Sequence, residues 1–345
     1  MRSSSDGHRA RKLSLSFLRH VYGGPAILFM GAQLRTYLIN LAIRKFVKSR
    51  LSACRTPLDV RKAFSSALPA PGGVRFSPAT LGGVSGEWAE PKKGAAGFGA
   101  LLYLHGGGYA AMSARTHRAI TGGFAQRGIR VFAPDYRLAP EHKFPAAVDD
   151  VTEVWRALRA QVDRPIFLAG DSAEGGLSVA LLMNLRDRRE QGPTAACLFS
   201  PWTDLAVTGA SLTANRDRDP MQVADVFRML AAAYLGEANP RAPLASPIYG
   251  DFVGLPPLSI FVGDTEILLD DSRRLAERAR LAGVTVDLRI YPDMPHAWPL
   301  LNMIMPEGRR AMNEATAFLQ ASALRAVGAL GAAASAGIAA PRGGP

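Results

Sequence analysis

The sequence contains few of the residues from which metal sites and disulfide frameworks are built. Only two of its 345 residues are cysteines, Cys54 and Cys197, and they lie far apart. Two distant cysteines provide neither a disulfide framework nor the paired spacing of zinc ligands. We therefore expect no metal, no cofactor and a reducing compartment, with the cytoplasm as the default location.

Long apolar runs are also missing. A helix that crosses a bilayer needs roughly 20 apolar residues, and the apolar segment 21–34 is interrupted by Gly23, Gly24 and Pro25. The run Ala26–Met30 is too short for the core of a signal peptide, and no clean small-residue cleavage site follows it. The sequence thus predicts neither a membrane span nor a secretory signal.

Positive charge is concentrated at one end of the chain. The net charge is +12, and residues 1–62 contain thirteen Lys or Arg residues but only two Asp residues, which leaves the rest nearly neutral. Between Leu41 and Arg55 basic and apolar residues alternate, a pattern that can bind an anionic membrane surface. Arginine-rich helices more often cover an apolar face with their charged ends in water. We expect no nucleic-acid partner, leave peripheral membrane contact by this arm open, and regard the oligomeric state as unknown, with a homodimer as one alternative.

The order of predicted elements indicates an α/β fold. Short apolar segments at 100–104, 129–133, 165–169, 195–199, 258–262 and 286–290 read as strands, and helical periodicity covers 116–127, 146–161, 173–189, 223–235, 271–281 and 308–324. Such alternation predicts a mostly parallel central sheet with helices on both faces. We divide the chain into a basic helical segment at 1–73, a main domain at 74–325 with an insertion at about 207–246, and a disordered tail at 326–345.

Two glycine-rich motifs follow predicted strands and point to acyl transfer. Gly170-Asp171-Ser172-Ala173 joins a strand to a helix, as a nucleophile elbow does when it exposes a serine above a sheet. Upstream, His105-Gly106-Gly107-Gly108 ends another strand, and its amide N–H groups could stabilise a developing oxyanion. Together the motifs predict that Ser172 is a nucleophile and needs a base and an acid.

The base and the acid are sought downstream of the serine, because the order in this fold is serine, acid, histidine. Of six histidines only His296 follows Ser172, in a loop after a predicted strand. The acid should follow the strand at 258–262. Four carboxylates compete there: Asp264, Glu266, Asp270 and Asp271.

With these motifs in place, the sequence resembles the bacterial hormone-sensitive-lipase-like carboxylesterases, esterase family IV of the α/β-hydrolases. The likeness spans about 30–325 and includes Asp135-Tyr136-Arg137-Leu138-Ala139-Pro140-Glu141 and Ser200-Pro201-Trp202-Thr203-Asp204-Leu205. The resemblance implies an α/β-hydrolase fold with a helical cap, and a serine hydrolase of short-to-medium acyl esters or lactones. Small-molecule esters are then its expected partners.

The resemblance also implies roles for single residues. It favours Glu266 over Asp264 as the acid, leaves Asp270 and Asp271 to cap a helix, and places the oxyanion hole at Gly107, Gly108 and Ala173. Tyr136, Arg137 and Glu141 are expected to brace the glycine loop. The expected pocket residues are Tyr109, Met112, Trp202, Met221, Phe227, Trp298 and Leu300.

One residue departs from the pattern. The elbow normally has glycine two residues after the serine, and here that position is Glu174. A carboxylate there could raise the pKa of His296 or obstruct the acyl group. The alternative function is therefore an impaired hydrolase that binds a small molecule. From sequence alone, Glu174→Gly is predicted to equal or exceed the parent in ester hydrolysis.

Overall fold

The computed structural model describes residues 31–94 and 97–337. Residues 1–30, which contain part of the predicted basic arm, lie outside the described residues, as do 95–96 and 338–345.

In the part of the chain that the structure describes, one eight-stranded sheet forms the centre. Its strands, in chain order β1 to β8, are Val74–Leu81, Val84–Pro91, Ala100–Leu104, Arg130–Pro134, Ile166–Asp171, Ala196–Phe199, Leu258–Gly263 and Val286–Tyr291. The spatial order is β1-β2-β4-β3-β5-β6-β7-β8. Strand β2 is antiparallel to both of its neighbours, β1 and β4, and all the other pairings are parallel. The predicted mostly parallel α/β sheet is therefore confirmed.

Ten α-helices accompany this sheet within the described residues. In chain order α1 to α10 they are Ala32–Ile43, Ser49–Ala53, Pro57–Ala63, Arg118–Ala125, Ala146–Gln161, Ala173–Asp187, Ser211–Ala214, Ala224–Leu235, Leu269–Leu281 and Pro306–Gly337. A π-helical turn, Arg44–Lys48, joins α1 to α2. Short 3-10 turns occur at Ala114–His117, Pro247–Tyr249 and Trp298–Leu301.

The central strands are apolar on both faces, as expected for a parallel sheet covered on both sides. In β5, Leu168 belongs to the core that contains α5 and α6, whereas Phe167 and Ala169 belong to the core that contains α4 and α10. All three side chains are fully buried. Because strands β3, β5, β6, β7 and β8 run parallel to one another, the loops after β3, β5, β7 and β8 meet at one edge of the sheet.

The N-terminal helices and the insertion between β6 and β7 contact one another over that edge. Lys48 donates from its ammonium to the backbone oxygens of Arg216 and Asp219 at 2.8 and 2.7 Å. Arg61 of α3 donates to the backbone oxygens of Ala110 and Ala139, both at 2.7 Å. Lys48 thus links the N-terminal segment to the insertion, and Arg61 links it to the loops after β3 and β4.

The structure differs from the sequence-based prediction at two places. The short helix α7 lies in the insertion, where only α8 is predicted. The last helix continues to Gly337, so the predicted disordered tail at 326–345 is wrong as far as Gly337. This segment is rich in alanine, which has the highest helix propensity, and no proline interrupts it before Pro341.

Both cysteines are free and buried. No helix in the part of the chain that the structure describes combines the length and the apolar character needed to cross a membrane.

Candidate functional site

Ser172 lies at the sharp turn between β5 and α6. Its backbone has φ 60° and ψ −131°, in the left-handed region that L-residues rarely adopt. Two backbone hydrogen bonds stabilise the turn: the Ser172 amide donates to the Phe199 carbonyl at 2.9 Å, and the Trp202 amide donates to the Ser172 carbonyl at 2.8 Å. This conformation lifts the hydroxyl above the carboxyl end of the sheet.

The structure brings a histidine and a carboxylate to this serine. His296 Nε2 lies 2.9 Å from Ser172 Oγ, and His296 Nδ1 lies 2.7 Å from Glu266 Oε2. The three residues come from the loops after β5, β7 and β8, so only the sheet topology brings them together. The chain of contacts has the geometry of a serine nucleophile, a general base and an orienting acid.

Glu266, and not Asp264, contacts the imidazole. Glu266 is fully buried, and its second oxygen, Oε1, accepts from the Gly263 amide at 2.6 Å and from the Ser200 hydroxyl at 2.7 Å. Asp264 turns away and accepts from the Asp293 amide at 2.8 Å. Ser200 is a residue that the sequence-based reasoning did not assign to the site.

The insertion supports the loop that carries Glu266. Asn215 donates from its amide to the Glu266 carbonyl at 2.8 Å, and Asp219 accepts from the Ile267 amide at 2.9 Å. Asp270 and Asp271 belong to the same network. They make no side-chain cap on α9, contrary to expectation. Instead Asp270 accepts from the Ser211 amide, and Asp271 accepts from the Thr203 and Asp204 amides, because these segments cross the first turn of α9.

The pKa of His296 reflects two opposing effects. Burial alone would lower it, because a charged imidazolium is poorly solvated there. The hydrogen bond that His296 donates to Glu266 and the negative charge of that carboxylate outweigh burial, and the pKa of His296 is raised above its usual 6.5. A raised pKa makes the imidazole a better proton acceptor in its neutral form.

The glycine loop after β3 presents backbone amides to the serine. Gly107 and Gly108 have φ of +150° and +66°, and a β-carbon at Gly107 would lie 2.1 Å from the Ala111 carbonyl oxygen. Among the described residues no hydrogen bond uses the amide of Gly107 or Gly108. Ala173 is the first residue of α6, where an amide N–H has no partner within the helix. Three unused donors therefore lie beside Ser172.

The expected brace of this loop is present in a different form. The Tyr136 hydroxyl lies 3.2 Å from the His105 carbonyl oxygen, as expected of a brace. Arg137, however, pairs with Asp150 rather than with the loop. Glu141 acts through Arg61, which binds Glu141 at 2.7 Å and the Ala110 carbonyl.

A cavity opens onto Ser172 and His296. Of the expected pocket residues, Met112, Trp202, Met221, Phe227 and Leu300 line it. The expectation is wrong for Tyr109, whose ring stacks on Tyr234 at 3.8 Å, and for Trp298, whose ring packs against Tyr291 at 5.0 Å. Both rings are buried in the core.

Several lining residues were not predicted. They are Leu51, Val60, Phe64, Ala111, Asp171, Gln222, Val226, Leu230 and Ala297. The spacing of Val226, Phe227 and Leu230 marks one face of α8 and could have been recognised in the sequence. The three from the N-terminal helices could not, since helical periodicity does not show which element a face covers. Glu174 is absent from the lining, so its side chain does not obstruct the cavity.

No cluster of His, Cys, Asp or Glu that could hold a metal ion occurs among residues 31–94 and 97–337.

Comparison with known proteins identifies relatives of this site and fold. A family model described as an alpha/beta hydrolase fold matches residues 101–300. An acetyl-hydrolase of Streptomyces hygroscopicus is 42% identical over 266 residues, which cover 75% of this chain and 88% of that protein. An esterase of Acinetobacter venetianus is 36% identical over 249 residues, covering 71% of this chain and 82% of that protein.

Solved structures agree with these relatives. The crystal structure of an esterase from the bacterial hormone-sensitive lipase family superimposes with a TM-score of 0.77 and 41% identity, covering 83% of this chain and 98% of that one. An esterase crystal soaked with p-nitrophenyl butyrate gives a TM-score of 0.79 and 36% identity, covering 87% and 99% of the two chains.

Proposed function

The chain belongs to the α/β-hydrolase family and, within it, to the esterases related to bacterial hormone-sensitive lipase. From that premise we propose that it hydrolyses short-to-medium acyl esters or lactones through an acyl intermediate on Ser172. The observation that carries the proposal is the chain of contacts from Ser172 Oγ to His296 Nε2 at 2.9 Å and from His296 Nδ1 to Glu266 Oε2 at 2.7 Å.

In the proposed first step His296 accepts the proton of the Ser172 hydroxyl while the oxygen attacks the ester carbonyl. Glu266 holds the imidazole with Nδ1–H toward its carboxylate and stabilises the imidazolium that forms. The carbonyl oxygen becomes an oxyanion that accepts hydrogen bonds from the amides of Gly107, Gly108 and Ala173. His296 then gives its proton to the departing alcohol, and the acyl group remains on the serine.

In the second step water takes the place of the alcohol. His296 accepts a proton from the water, which attacks the acyl-serine carbonyl, and the same three amides stabilise the second oxyanion. Collapse of this intermediate returns the proton to Ser172 and releases the carboxylic acid. Ser172 and His296 are thereby restored to their starting protonation states.

The substrate class follows from the cavity and from the relatives. The lining is mostly apolar and includes Val60, Met112 and Phe227. Such a lining favours acyl chains over charged groups. Acetyl and other short acyl groups are proposed first, because the relative from Streptomyces hygroscopicus is an acetyl-hydrolase. We also propose a cytoplasmic enzyme, since both cysteines are free.

The test is hydrolysis of p-nitrophenyl esters from acetate to decanoate by the parent protein and by Ser172→Ala. The proposal requires turnover of the shorter esters by the parent and its loss in Ser172→Ala, by about 10³-fold or more. Absence of turnover in both proteins, combined with saturable binding of an ester, would support the small-molecule binding protein instead. Equal turnover in both would place the chemistry elsewhere.

A further inference from the structure

Glu174 occupies a position beneath the glycine loop. It is the second residue of α6 and is fully buried. Its Oε1 accepts from the Tyr109 amide at 2.9 Å and from the Tyr136 hydroxyl. The same hydroxyl lies 3.2 Å from the His105 carbonyl oxygen. One carboxyl group of the nucleophile helix therefore contacts the loop directly and through a tyrosine.

The loop needs such support because its backbone is strained. Gly107, Gly108 and Tyr109 have successive positive φ values of +150°, +66° and +60°. A non-glycine residue in this region costs about 1–3 kcal/mol and persists only where its surroundings fix it. Tyr109 is fixed by its carbonyl, which accepts from the Ala139 amide at 2.8 Å, and by its ring on Tyr234. Its amide is fixed by the glutamate.

The two residues that bracket the oxyanion glycines are held by two acidic residues that bracket the serine. Asp171, immediately before Ser172, accepts from the Gly106 amide at 3.0 Å. Glu174, two residues after Ser172, accepts from the Tyr109 amide. The elbow residues thus bind the loop on both sides of the free Gly107 and Gly108 amides.

We propose that Glu174 is a positioning residue that, together with Asp171, fixes the amides of Gly107 and Gly108 relative to Ser172. This rests on the proposed function, because it assigns these amides to an oxyanion hole. Glu174 itself contacts neither the cavity nor the serine hydroxyl. It acts through Tyr109 and Tyr136, and it takes the place of the glycine that the elbow pattern expects.

Two acidic groups so close together differ in charge. The pKa of Asp171 is lowered: burial opposes this, but the charge of His117 and hydrogen bonds from His117, Tyr103 and the Gly106 amide outweigh it. Burial raises the pKa of Glu174 to about 8, despite the Tyr136 hydrogen bond and with a further rise from Asp171. At neutral pH Glu174 is therefore the uncharged partner, and within the described residues no hydrogen bond would stabilise a charge on its second oxygen, Oε2.

The charge of Glu174 should affect the rate. Its carboxyl group lies one peptide unit from the Gly108 amide, so a carboxylate there would oppose the negative charge of an oxyanion. The titratable groups around it come from β3, the glycine loop, the loop after β4, β5 and α8, and are Tyr103, His105, Tyr109, Tyr136, Asp171 and Tyr234. Burial lowers the pKa of His105 to about 3 and raises the pKa of each tyrosine, so none of these changes charge near pH 8.

The experiment measures kcat and KM for p-nitrophenyl acetate from pH 6 to 9.5 in the parent, Glu174→Gln and Glu174→Ala. Glutamine retains an acceptor oxygen but cannot ionise. Asn184→Ala is the matched control, because Asn184 lies on the same helix and makes a buried hydrogen bond to Thr152, away from the loop. The uncatalysed rate is subtracted at each pH.

We expect Glu174→Ala to lower kcat about 10- to 100-fold with KM changed less than about threefold, as for an interaction needed in the transition state. Glu174→Gln should keep kcat within about threefold at pH 7. Above pH 8 the parent should lose rate and Glu174→Gln should not. The control should retain the parent profile. Glu174→Gly should resemble Glu174→Ala, contrary to the expectation from sequence alone.

Two results would overturn the proposal. One is a kcat of Glu174→Ala within about threefold of the parent. The other is the same alkaline loss of rate in Glu174→Gln and the parent, and this comparison decides alone if Glu174→Ala fails to fold. Failure of the proposed function would look different, since the parent would then show no turnover that depends on Ser172.

Discussion

Replacement of Glu174 by glutamine should remove a pH-dependent loss of folding stability. In the folded protein burial raises the pKa of this carboxyl group from 4.5 to about 8. The unfolded chain releases the proton near 4.5, so folding binds a proton between these two pH values. The free energy of unfolding therefore falls as pH rises through this window, by about 1.4 kcal/mol per pH unit.

Between pH 5 and pH 8 the loss amounts to about 4 kcal/mol, a large part of the stability of a typical domain. Glutamine does not titrate, so the difference in free energy of unfolding between parent and Glu174→Gln isolates this group. Urea unfolding followed by tryptophan fluorescence at pH 5, 6, 7, 8 and 9 measures it. Other buried acids, such as Asp271 with a pKa raised by burial to about 7, contribute to both proteins and cancel.

The free energy of unfolding of the parent minus that of Glu174→Gln should be larger at pH 5 than at pH 8. From pH 9 upward this difference should be constant. Glu277→Gln, at an exposed position of α9, controls for the loss of one carboxylate from the chain. If the stability curves of parent and Glu174→Gln run parallel from pH 5 to 9, Glu174 does not hold a proton in the folded state, and the reasoning about its charge is refuted.

Three further predictions concern the triad and the cavity. Because a hydrogen bond to a charged group contributes about 1.5–3 kcal/mol, Ser200→Ala should lower kcat about 10- to 100-fold at unchanged KM, and steady-state kinetics equal to the parent would contradict its role in holding Glu266. Neutral His296 is the base, so kcat/KM should fall as pH drops through a pKa above 6.5. Glu266→Gln should move this acidic limb of the pH profile to lower pH and reduce kcat about 10³- to 10⁴-fold. An unmoved acidic limb would contradict the role of Glu266 in raising the pKa of His296. Phe227→Ala should enlarge the cavity and raise the ratio of octanoate to acetate hydrolysis about tenfold, whereas an unchanged ratio would exclude Phe227 from the acyl pocket.

Local patterns predicted the elements and the motifs because each depends on neighbouring residues. The strand before Ser172 and the helix at 146–161 follow from apolar periodicity, and the observed helix α5 has the predicted bounds. The choice of His296 followed from its place in the chain order. Glu266 was favoured over Asp264 only by resemblance, since both residues follow the same strand. Only the fold of the loop directs the Glu266 side chain to His296 and the Asp264 side chain to the Asp293 amide.

Other features depend on contacts between distant segments and could not be predicted. The direction of the Glu174 side chain is decided by the Tyr109 amide, 65 positions away in the chain. Tyr109 and Trp298 were expected in the pocket, but their aromatic rings are equally suited to a core, and backbone geometry decides between the two. The role of Arg61 could not be predicted, because in a basic segment charge alone suggests contact with solvent or a membrane rather than a hydrogen bond to a loop carbonyl.

The most direct test of an acyl-serine mechanism is the location of the acyl group itself. The parent and His296→Ala are mixed with p-nitrophenyl acetate, quenched with acid within one turnover, digested and analysed by mass spectrometry. We expect one acetyl group on the peptide that contains Ser172 in the parent and none in His296→Ala. An acetyl group on a different residue, or equal labelling of Ser172 without the imidazole, would contradict it.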